Sequence, residues 1–151
     1  MARSSHELIR ALRATAARLA QSPAYRWSDF ACCNCGHLVQ SVTQLSPREI
    51  YEAAFVRGGD WGEQAREFCP SSGYPIDYVF ARLFELGLSA DDVKNLERLS
   101  DDRVLRELGA GALRYTCRED VVSYLNAWAR MLERELGADA QDEELLCEAA
   151  E

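Results

Sequence analysis

Lysine is nearly missing from this chain: 16 of the 17 basic residues are arginine and Lys94 is the exception. Histidine is scarce as well, with His6 and His37 alone, which excludes metal sites built from several imidazoles. No run approaches the roughly 18 apolar residues of a spanning helix, so no membrane association is expected. The opening MARSSHELIR has no apolar stretch behind its positive charge, and the chain reads as cytoplasmic. Basic charge is also outnumbered, at 17 against 25 acids for a net charge of −8, and the arginines are scattered. A nucleic-acid binder needs a basic stripe that displaces counterions from phosphates, so no nucleic-acid partner is expected.

Several catalytic signatures are absent. There is no glycine-rich loop ending in Gly-Lys-Ser/Thr and no Gly-x-Ser-x-Gly elbow, which removes the usual marks of nucleotide hydrolases and serine hydrolases. Gly109-Ala110-Gly111 follows no strand, and Arg114 stands where a dinucleotide loop needs its third small residue. His6-Glu7 lacks the second histidine of a zinc-protease helix, and no Glu-x-x-His occurs for a di-iron bundle.

Alternation of apolar and polar residues is missing too, and nearly every periodic segment repeats at about 3.6. With 48% hydrophobic and 28% charged residues, 151 residues suffice for a real core without metal or disulfide staples. The expectation is an all-α fold, a single compact bundle of six or seven helices with short loops and no β-sheet. Ser4 or Ser5 caps a first helix carrying Leu8, Leu12, Ala16 and Leu19, closed by Ser22-Pro23. A second helix begins near Asn34 to Gly36 and brings Leu38, Val42 and Leu45 inward. Ser46, Pro47 and Glu49 form the start signal of a third, bearing Ile50, Ala54 and Phe55.

Asp60 to Tyr74 reads as an irregular connection, with Trp61 its best candidate for an exposed anchor and Asp60, Glu63 and Glu67 nearby as a conceivable acid–base group, more simply a solvated face. Pro75 opens a helix with Ile76, Val79, Phe80, Leu83 and Leu86 on one face, ended by Gly87. Ser89 with Asp92, and Ser100 with Arg103, start two short helices. The last long helix runs from about Arg118 to Leu136, and Gly137 is the expected stop. Residues 1–136 form the helical domain. Residues 137–151 hold Asp139, Asp142, Glu143, Glu144, Glu148 and Glu151 without any Lys or Arg, and read as an acidic, flexible tail suited either to solubility or to docking a basic partner.

What remains is one dense cluster, Cys32-Cys33-Asn34-Cys35-Gly36-His37. Thiolate and imidazole suit zinc or an iron–sulfur cluster, and Cys33, Cys35, His37 and Cys69 supply four ligands, although the spacing is not that of a zinc knuckle or ribbon. Cys117 is a further thiol at a distance. In a redox version Cys32 and Cys35 form a CxxC at a helix start, where the dipole favours thiolate. The flanking pattern of a thioredoxin fold is absent. The motif resembles the helical alkylhydroperoxidase D family, in which a histidine stands four residues beyond the second cysteine. Here His37 stands two beyond Cys35, and the resemblance covers Cys32 to His37 alone. The plainer reading is buried structural thiols, since cysteine packs as a small apolar residue. The expected function is therefore a helical interaction or regulatory module without catalysis and without a cofactor, engaging a protein partner or a second copy. The alternative is a thiol-redox or metal-binding protein built on the cluster.

Overall fold

The structure is a computed structural model describing residues 2–21, 25, 27, 33–46, 48–49 and 76–148, with the backbone alone over 76–80 and 139–148. Among these residues there are six helices and no strand: α1 (His6–Gln21), α2 (Asn34–Thr43), α3 (Ile76–Glu85), α4 (Ala90–Arg98), α5 (Asp102–Leu108) and α6 (Arg118–Glu148). The fold is all-α. Cys32, Cys69, Trp61 and the carboxylates Asp60, Glu63 and Glu67 lie outside the described residues, as does the body of the expected helix bearing Ile50, Ala54 and Phe55.

The central packing is α1 along α6, where Leu8, Leu12, Ala16 and Leu19 meet the stripe Val121, Leu125, Trp128 and Leu132. Both stripes follow helical spacing, so each helix presents one continuous apolar face that burial removes from water at roughly 25 cal/mol per Å². α5 packs on α6, α2 on α1, and α3 and α4 both cover α2. The result is a layered order in which α2 lies between α1 and the α3–α4 pair.

Local caps form where short-range chemistry dictates. Ser5 Oγ accepts Leu8 N–H at 3.1 Å, so of the two candidate serines it is Ser5 that caps α1. The Ser46–Glu49 capping box closes in both directions, at 3.2 Å to Ser46 Oγ and 2.7 Å to Glu49 Oε2. Ser89 and Asp92 form a second box at the start of α4. At Gly87 the chain turns with φ +99°, and Arg3 N–H donates to Gly87 O at 2.9 Å. A Cβ there would lie 3.3 Å from Arg3 O, so both the turn and the close approach select glycine.

Two expected boundaries are corrected. Asp101, not Ser100, caps α5, its Oδ1 accepting Arg103 N–H at 2.8 Å. The choice is tertiary: Asp101 N–H donates to the buried Tyr124 hydroxyl at 3.2 Å, while Ser100 Oγ turns back to Asn95 Oδ1 at 3.0 Å. Gly137 does not stop the last helix, which continues to Glu148. A glycine ends a helix by adopting the left-handed conformation, and Gly137 is not among the positive-φ residues. Mid-helix glycine costs about 1 kcal/mol relative to alanine, and the helix formers on both sides of it offset that. No helix among the described residues is long and apolar enough to cross a membrane.

Candidate functional site

The cysteine cluster lies at the start of α2, where that helix meets the end of α4. Cys33 is the N-cap residue, in extended conformation, and its sulfur accepts Gly36 N–H at 3.4 Å. Cys35 N–H donates to Glu97 Oε1 at 3.0 Å, and its thiol donates to Val93 O at 3.7 Å. Both thiols are buried. Between them Asn34 is 1% exposed, and its amide nitrogen donates to Leu96 O at 3.1 Å and Glu97 O at 3.3 Å.

These contacts amount to reciprocal capping. The first amides of α2 have no intrahelical acceptor, and a carboxylate from α4 supplies one where the helix dipole favours negative charge. The last carbonyls of α4 have no intrahelical donor, and the Asn34 amide supplies one. Because two carbonyls face that nitrogen, the amide orientation is determined: the oxygen points to Tyr25, whose hydroxyl lies 2.7 Å from Asn34 Oδ1 and 2.5 Å from Tyr115 O. Burial, with the negative charge of Glu97 second, pushes the Tyr25 phenol well above its ordinary range, so it stays a neutral donor.

His37 is one turn further along α2 and 7% exposed. Arg18 of α1 donates to its carbonyl oxygen, and the same guanidinium nitrogen lies 3.4 Å from Nδ1. Burial first, and the Arg18 cation second, lower the imidazole to about 4, so it is neutral at pH 7. With Nδ1 as acceptor the proton resides on Nε2, which is buried and has no hydrogen-bond partner among the described residues.

The outer wall is aromatic. Trp27 and Tyr115 lie with ring centroids 4.7 Å apart, and the Arg98 guanidinium sits 5.5 Å from the first ring and 5.0 Å from the second. Such a cation over two ring faces contributes about 0.5–1 kcal/mol at an exposed site. Cys117, just ahead of α6, is partly exposed. Its sulfur is 3.4 Å from Arg114 Nη2 and 3.2 Å from Glu119 Oε2, and it shares a polar depression with Tyr25 and Thr116.

Cys33, Cys35 and His37 are therefore neighbours, but they do not converge on one point. Residues two apart on a helix point to different faces, and Cys35 faces α4 whereas His37 faces Arg18 of α1. Among the described residues no group of three or more His, Cys, Asp or Glu is placed to hold a metal ion. No disulfide links Cys33, Cys35 or Cys117.

Sequence reasoning missed Asn34, Glu97, Arg18 and the Trp27–Tyr115–Arg98 stack. Asn34 had a local signal, a polar residue between two buried thiols at a helix start. Glu97, which lies 62 positions from Cys35, had none. Comparison of the chain with protein-family models, curated proteins and solved structures finds no match.

Proposed function

We propose that this chain is a helical interaction or regulatory module without chemistry of its own. The observation that supports it is the use made of the cysteine cluster: Cys33 caps α2, Cys35 donates to a backbone carbonyl of α4, and His37 is a neutral core residue beside an arginine. Cys33 and Cys35, the described thiols of the cluster, are both engaged in holding α2 in place. Cys35 acts as an S–H donor to Val93 O, a role that a reduced thiol fills. The net charge of −8 supports a protein rather than a nucleic-acid partner.

The alternative, a thiol-redox or metal protein using Cys32, Cys33, Cys35, His37 and Cys69 with zinc or an iron–sulfur cluster, has one observation in its favour. His37 Nε2 is a buried ring nitrogen without a partner among the described residues. Against it, Arg18 places a positive charge beside the same ring. The decisive experiment is metal analysis of untagged, anaerobically purified protein combined with timed thiol labelling, native and denatured. The module reading expects substoichiometric metal, with Cys33 and Cys35 labelled only as fast as the fold opens. Near-stoichiometric zinc or iron, or native labelling of Cys33 or Cys35 at the denatured rate, would overturn it.

A further inference from the structure

We draw no further inference here: the strongest candidate, the polar depression of about 560 Å³ at the start of α6 that Cys117 shares with Tyr25, Thr116, Arg114 and Arg118, is a helix N-terminus with a lone cysteine, its two arginines are already paired with Asp120 and Glu119, and no unpartnered buried side chain among the described residues lines it.

Discussion

Two helices of this protein begin at a cysteine, and the two starts have opposite characters. At α2, Cys33 is fully buried, and the turn that follows it is held by residues from across the molecule: Glu97 on the Cys35 amide, Tyr25 on Asn34, and Arg18 at His37. At α6, Cys117 is partly exposed, and among the described residues the hydrogen-bond partners of its sulfur are near neighbours in sequence, Arg114 and Glu119. Glu119, fully exposed, is held down to about 2, first by its own backbone N–H and then by Cys117 and Arg118. Residue type and helix position are the same, so burial and long-range partners make the first a structural element and leave the second a surface feature. A buried polar group forfeits its full desolvation energy when it loses a partner, whereas an exposed one exchanges it for water.

The largest effect that would break this contrast is at Asn34. Asn34→Ala strands Leu96 O and Glu97 O and takes an acceptor from Tyr25, and is expected to destabilise the protein by about 3 kcal/mol, measured by denaturant unfolding. A loss under about 1 kcal/mol would mean that the α2–α4 junction is not held by reciprocal capping.

Acid should act on the buried start in the same direction. The folded state holds His37 at about 4, below the unfolded value near 6.5. Above pH 6.5 the ring is neutral in both states and nothing is lost. As pH falls toward 4 the unfolded chain takes up a proton that the folded chain refuses, so stability drops by roughly 3 kcal/mol across that window. Carboxylates titrate nearby, and the difference from His37→Gln isolates the imidazole share. Equal pH slopes for the two proteins would show that His37 is not buried as a neutral ring.

Smaller effects sharpen the contrast between the two sulfurs. Cys33→Ala removes a cap and opens a small void, for an expected loss of about 1–2 kcal/mol, while Cys117→Ala should stay within about 0.5 kcal/mol. Thiol labelling of the folded protein should correspondingly reach Cys117 before Cys33; preferential labelling of Cys33 would reverse the assignment. Arg98→Ala sits at the low end, costing about 0.5–1 kcal/mol through the lost contact with Trp27 and Tyr115. Its more sensitive readout is a change in tryptophan emission, and an unchanged spectrum would argue against the stack.

The amino-acid order alone determined the helical class, the core stripes of α1 and α6, and the capping boxes at Ser46–Glu49 and Ser89–Asp92. All of these depend on groups within a turn or two of each other, where spacing and side-chain chemistry suffice. It also marked the cysteine cluster as the densest chemistry in the chain, but not what the cluster does. Which partners its residues meet was decided by contacts such as Glu97 to Cys35 and Tyr25 to Tyr115, which span 62 and 90 positions. Gly137 shows the same boundary from the other side: as a local signal it predicted a stop, and the helix carries on because the backbone there stays right-handed between strong helix formers. Local rules describe which groups seek partners, and the tertiary fold decides which partners they meet, because only packing brings distant residues close enough to exchange a hydrogen bond for one with water.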